Sequence, residues 1–308
     1  MSAPTPDAAD LRFRTISFLS DYGHGDEFVG VVHSVIRSIA PDVRVIDISH
    51  DVRPFDVRAG GLALARAVPY MAPGVALAVV DPGVGTDRNP VAIEVANGGA
   101  YLIGPDNGLL ASAVAMVGGA TSAVVLDNPD YHLPAVGRTF DGRDVFGPAA
   151  AHLCLGVPMS DLGTAIDPAR LMPGMLPVSE IQDDGSITVE VLWVDRFGNV
   201  QLNVEPEHLA DWDGAVSISG GRVDRTAARV DTFAEIPRGG FGLLVDSYGL
   251  IALAVDRGSA AAELTLSEGD ELILRPADRP VTVSSPVTLG TPSTQRPSDD
   301  GERPGAPG

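Results

Sequence analysis

Between residues 13 and 156, short apolar runs alternate with segments of helical periodicity, and nothing else in the chain limits the fold as much. "RTISFLS" (14–20), "VRVIDIS" (43–49) and "GVALAVV" (74–80) read as strands. After the first, "DEFVGVVHSVIRSIAP" places Phe28, Val32, Val35, Ile36 and Ile39 on one helical face and stops at Pro41. After the second, "DVRAGGLALARAVPYM" reads as a helix with Asp56 as its N-cap. "VAIEVANGGAYLIGP" forms a short hairpin and "DNGLLASAVAMVG" a further helix. Repeated strand–helix–strand units predict an α/β domain with a mostly parallel central sheet. Ligands of such sheets bind outside the carboxyl ends of strands. Asp21 and Asp81 stand at two of those ends.

From about Ile187 the pattern changes. "ITVEVLWV", "NVQLNV", "AVSISGG", "FGLLVDSYG", "LIALAV" and "DELILRP" are short strands with glycine turns, which predicts a smaller all-β unit, barrel or sandwich. The expected layout is an α/β domain over 11–170, a linker over 171–177 and the β domain over 178–276. Residues 1–10 and 277–308 are polar and rich in Pro, Ser and Gly, and are expected to be disordered tails.

Composition removes several chemistries. The chain of 308 residues contains no lysine, which rules out a lysine Schiff base and a P-loop lysine. A net charge of −20 argues against nucleic acid as a partner. The single cysteine, Cys154, lies in the apolar helical run "AAAHLCLG" and reads as a packing thiol. No run reaches the ~18 apolar residues of a membrane span, and "MSAPTPDAAD" lacks the marks of a signal peptide. A cytoplasmic protein with no membrane partner is expected. The six histidines show no metal-ligand spacing, so no metal or other cofactor is expected. "GVGTDR" has Arg88 where a dinucleotide fingerprint needs its third glycine.

What remains is a series of Asp-, Gly- and aromatic-rich turns at strand ends. Singly, each reads as an ordinary turn. In order they run "LSDYG", "SHDVRPFD", "VDPGVGTDR", "GPDNGLL", "RTFDGRDVFGPAAAHLCLG", "VDRFGNVQLN" and "VDSYG". This order resembles the S-adenosyl-L-methionine (SAM) hydroxide adenosyltransferases, hydrolases that form adenosine and are related to the fluorinase and chlorinase. The resemblance spans about 13–276. It implies an α/β domain joined to a β-barrel, and a homotrimer with each site between the N-domain of one subunit and the C-domain of the next.

The implied reaction is attack of water or hydroxide on C5′ of SAM, giving adenosine and L-methionine. The sulfonium is already an activated leaving group, so no cofactor is needed. Mapped by motif, Asp21 matches the carboxylate that binds both ribose hydroxyls. Phe55 matches an aromatic that lines the nucleoside pocket, Phe197 one that packs on the adenine, and Asn199 the residue that reads its edge. Asp195 accepts the methionine ammonium group, with Ser247 and Tyr248 near the methionine end. Asp81 and Arg88 match two members of a water-activating Asp–Arg–His set. The family's third member is a histidine; here it is Asp141. That departure leaves three outcomes: water activation by a carboxylate pair, a slowed hydrolase, or a non-catalytic protein that binds SAM or adenosine. Either Arg88 or Arg143 could neutralise the two carboxylates, and His132 could swing in as a substitute base. The halogenases carry an aromatic at the Asp81 position, a hydroxyl at the Gly142 position and, in the fluorinase, an inserted loop; their absence argues against a 5′-halogenase.

Overall fold

The computed structural model describes residues 11–174, 176–212 and 214–277. The two expected tails lie outside them, apart from Ala277, whose N–H still bonds the Ala215 carbonyl. Contacts divide the described residues into two compact units, parting between Pro177 and Val178.

The first unit contains β1 (Thr15–Ser20), α1 (Phe28–Ile39), β2 (Arg44–Ser49), α2 (Val57–Ala67), β3 (Val75–Val79), β4 (Pro90–Val95), β5 (Ala100–Pro105), α3 (Ala111–Met116), β6 (Ala120–Val125), α4 (Gly147–Cys154) and β7 (Thr164–Ile166). Its sheet runs β2-β1-β3-β5-β4-β6-β7. The pairings from β2 to β5 are parallel and those from β5 to β7 antiparallel. Five of the seven strands, all but β4 and β7, therefore point the same way. β3 is buried along its whole length, as expected of a parallel strand covered on both faces.

The helices follow from local chemistry. Asp56 caps α2 by accepting from the Ala59 amide at 2.9 Å. In α1 the buried stripe is Val29, Val32 and Ile36, each contributing about 1.5–3 kcal/mol by leaving water. Phe28, expected on that stripe, opens the helix and turns elsewhere, because its ring packs edge-on against Phe140 at 5.1 Å. Cys154 ends α4 fully buried, and burial pushes its thiol up to about 12, which removes it as a nucleophile.

From β1 the chain moves outward to β2, then crosses back to β3 on β1's other side. Such a reversal opens a crevice at the strands' carboxyl ends, where side chains can converge.

The second unit contains β8 (Glu180–Ile181), β9 (Ile187–Val194), β10 (Val200–Leu202), β11 (Ala215–Gly220), β12 (Val223–Arg229), β13 (Phe241–Val245), β14 (Ile251–Val255), α5 (Ala260–Leu264) and β15 (Glu271–Pro276). The order β10-β14-β13-β12-β11-β15-β9 closes through the β9–β10 pairing into a seven-stranded barrel, with β8 appended to β9. Closure leaves no free edge within the ring.

Candidate active site

Asp21 and Asp81 flank the crevice between β1 and β3. Ser20 pairs with Val79 in register, and the Asp21 amide extends the ladder to the Val79 carbonyl. The carboxylate of Asp21 accepts from the Phe55 amide at 2.9 Å. Phe55 has φ +69°, a left-handed conformation that is a strained outlier for a bulky residue. The Asp21 bond helps to hold that kink, and the Phe55 ring stands 72% exposed. Burial raises the Asp21 pKa above the usual carboxylate value, and the charge of Asp81 adds to this, while the Phe55 amide works against both.

Asp81 begins the glycine turn. Val84 and Thr86 fold it back through bonds to the Asp81 and Gly83 carbonyls. Gly85 has φ +80°, and a Cβ there would lie 2.8 Å from the Arg138 carbonyl oxygen. Only glycine permits this close approach. The turn returns Arg88 beside Asp81: its Nε donates to one carboxylate oxygen at 3.0 Å and its Nη2 to the other. The same Nη2 also donates to Asp141. The three side chains are 11%, 6% and 18% exposed. One guanidinium facing two carboxylates leaves one negative charge in excess. Burial opposes the Arg88 charge, but its bonds to Asp81 and then Asp141 outweigh it and raise its pKa. Arg88, not Arg143, is therefore the cation that holds both carboxylates; Arg143 bonds Asp144 at 2.6 Å.

Asp141 immediately precedes a π-helical turn, Gly142–Phe146, in which the Gly147 amide reaches five residues back to the Gly142 carbonyl. Such turns are rare and cluster at functional sites. A Cβ on Gly142 would meet Tyr22 Oη at 2.2 Å. Tyr22 cannot yield easily, since Phe18, Phe28 and Phe140 surround its ring at 5.6–6.3 Å. Burial and the surrounding carboxylates raise its pKa, so it stays a neutral phenol.

A cavity of about 240 Å³ joins Asp21, Tyr22, Phe28, Phe55, Asp81 and Asp141. Tyr22, Phe28 and Phe140 were not among the residues singled out from sequence. Tyr22 carried a signal, because it directly follows Asp21; Phe28 and Phe140 were indistinguishable from core. "GPDNG" has a supporting role: Asn107 Nδ2 donates to the Val80 carbonyl at 2.9 Å, pinning the chain just before Asp81.

The other sequence-selected residues lie in the second unit, on two hairpin loops of one design. In the β9–β10 loop, Asp195 Oδ1 accepts from the Phe197 and Asn199 amides, and Oδ2 accepts from Asn199 Nδ2 at 2.8 Å. In the β13–β14 loop, Asp246 Oδ1 accepts from the Tyr248 and Leu250 amides. Each loop thereby presents an aromatic: Phe197 is 71% and Tyr248 54% exposed. Ser247 is exposed beside Tyr248. Asp195 thus first stabilises its own loop, a use the sequence alone did not separate from ligand binding.

An α/β unit with a part-buried Asp–Arg–Asp cluster at its switch point is followed in the chain by a seven-stranded barrel. The family models for the SAM hydroxide adenosyltransferase N-terminal and C-terminal domains match residues 16–163 and 189–273. The chain belongs to the SAM hydroxide adenosyltransferase family, a family of enzymes. A Salinispora arenicola protein named (R)-S-adenosyl-L-methionine hydrolase is 46% identical, covering 83% of this chain and 96% of its own. A Thermus thermophilus protein of the same name is 41% identical, covering 83% and 97%. A solved structure of an uncharacterised conserved protein from Thermotoga maritima superposes with TM-score 0.77 at 33% identity, covering 84% of this chain and 99% of that one. Fluorinases are more distant, at 25–26% identity.

Proposed function

We propose that this protein hydrolyses SAM to adenosine and L-methionine, with the (R)-sulfonium epimer as preferred substrate. The observation that carries the reading is the Asp81–Arg88 pair, whose Asp81 lines one cavity together with Asp21. Asp21 accepts the two ribose hydroxyls and fixes the sugar. Asp81, held in place by Arg88, orients water in line with the C5′–S bond. As the O–C5′ bond forms, sulfur takes the C5′–S electron pair and methionine departs as a neutral thioether. The sulfonium supplies the activation, so the step calls for no metal or redox cofactor. The excess negative charge favours the cationic substrate.

The reading includes a homotrimer in which barrel loops of one subunit complete the cavity of the next. About 240 Å³ falls short of the ~300–1,000 Å³ of most ligand sites. Phe55, Phe197 and Tyr248 are large exposed aromatics suited to being covered on assembly. Phe197 then stacks on adenine and Asn199 Oδ1 accepts from its amino group. Asp195 Oδ2 and the Ser247–Tyr248 loop serve the methionine end. A cytoplasmic setting completes the proposal, supported by a lone, buried, unpaired thiol.

The test is incubation with separated (S)- and (R)-SAM, with and without chloride, and chromatographic resolution of the nucleosides. Adenosine from the (R)-epimer is the expected product. Binding without turnover would overturn the enzyme reading, and 5′-chloro-5′-deoxyadenosine would reassign the nucleophile.

A further inference from the structure

Hydrolysis of SAM converts a substrate of net charge +1 into two neutral products, so each turnover must release one proton. A site covered on assembly, as proposed above, needs a route for it. Asp141 lines the cavity shared with Asp21 and Asp81, and also a second cavity of about 340 Å³ that holds Arg88, Arg138, His132 and Asp144. A polar space of that size has room for several waters with hydrogen-bond partners on its walls.

His132 stands out on that second wall. Its Nε2 is buried and has no hydrogen-bond partner among the described residues. The Leu126 backbone favours the protonated ring. Burial is the main influence on the ring and lowers its pKa, keeping the imidazole neutral near pH 7; Asp141 and Asp127 oppose this more weakly. The charged groups facing the cavity around it are Arg88, Arg138, Asp127, Asp141 and Asp144.

We propose that His132 is the proton acceptor of this site, relaying through the second cavity the proton that the attacking water gives to Asp141. This rests on the hydrolase reading above. As water bonds C5′ and the C5′–S pair moves to sulfur, the water's proton passes to the Asp141 carboxylate. Water in the second cavity then carries it to the imidazole that lines it. The resulting imidazolium returns it to solvent and Asp141 is ionised again. His132 touches no reacting atom and acts through Asp141.

Two measurements decide the matter. In His132→Gln, kcat for adenosine formation should fall about tenfold or more, the lower reach of acid–base contributions, with KM little changed. The wild-type loss of kcat on acidification, as the imidazole protonates, should disappear with the histidine. In His132→Ala, added imidazole should restore kcat, and substituted imidazoles should do so in order of basicity, which a packing role would not produce. A His132→Gln enzyme that keeps both its kcat and its acid limb overturns the relay while leaving the hydrolase intact. A wild type that forms no adenosine from either epimer overturns both. Independently of turnover, ¹⁵N spectra of histidine-labelled wild-type protein should show His132 neutral at pH 7. A charged imidazolium there would refute the relay without any variant.

Discussion

Replacing Gly142 by alanine tests the packing that shapes the site. The new Cβ would lie 2.2 Å from Tyr22 Oη and 3.1 Å from its Cζ. Real Cβ atoms do not approach a neighbour at the first distance, so something must move. Three aromatic rings hold Tyr22, and on the other side the π-helical turn fixes Gly142. Overpacking of this kind costs about 1–3 kcal/mol. For a unit of this size, each kcal/mol lowers Tm by about 2–4 °C. Gly142→Ala should therefore lower the thermal midpoint of the first unit by about 2–12 °C, read by calorimetry or circular dichroism. Removing the offending oxygen should relieve most of it, so Tyr22→Phe combined with Gly142→Ala should recover more than half of the loss. The remaining 3.1 Å contact accounts for the rest. Where the protein stays folded, displacement of Tyr22 reshapes the cavity it lines with Asp21, and the KM for SAM should rise. An unchanged Tm in Gly142→Ala, or no recovery in the double variant, would refute the argument. The same geometry leaves no space for a side-chain hydroxyl at position 142, and so closes the route by which a halide would be held there.

Two further outcomes follow from the electrostatics and the loops. The Asp21 pKa is raised in the folded protein, chiefly by burial, so between about 3.8 and that raised value the folded state binds more protons than the unfolded one. Stability then falls as pH rises through this window; Asp21→Asn should raise Tm at pH 7, show no gain below about pH 4, and weaken adenosine binding, and equal Tm gains at both pH values would refute the linkage. Asp195→Ala removes the acceptor for two amides and Asn199 Nδ2, each bond worth about 0.5–1.5 kcal/mol; faster amide hydrogen exchange confined to 195–199 is expected, and unchanged protection there would show that the loop does not depend on this carboxylate.

Much of this protein is already written in local sequence. The strand–helix alternation of 13–156 and the short strands after 187 report which faces are apolar, and burial of those faces is what drives each element to form. Asp56 before α2 reads as a cap because its partner amide is three residues away. "DPGVGTDR" is legible for the same reason: the glycines set a turn that returns Arg88 to Asp81, seven residues earlier in the chain. Motif order carried the family. Tertiary structure decided what depends on contacts between distant segments. Sequence left both Arg88 and Arg143 open as partner of the carboxylates; the approach of the 138–141 loop to Gly85 gives Asp141 to Arg88, while Arg143 turns to Asp144. The hairpin loops bind Asp195 to its own backbone before any ligand arrives. Phe28 reads as helix core, yet it walls the cavity, because only the fold brings Phe140 and Tyr22 to it. Periodicity ranks faces of one element; it holds no information about which neighbour a residue meets across 53 or 112 positions of chain.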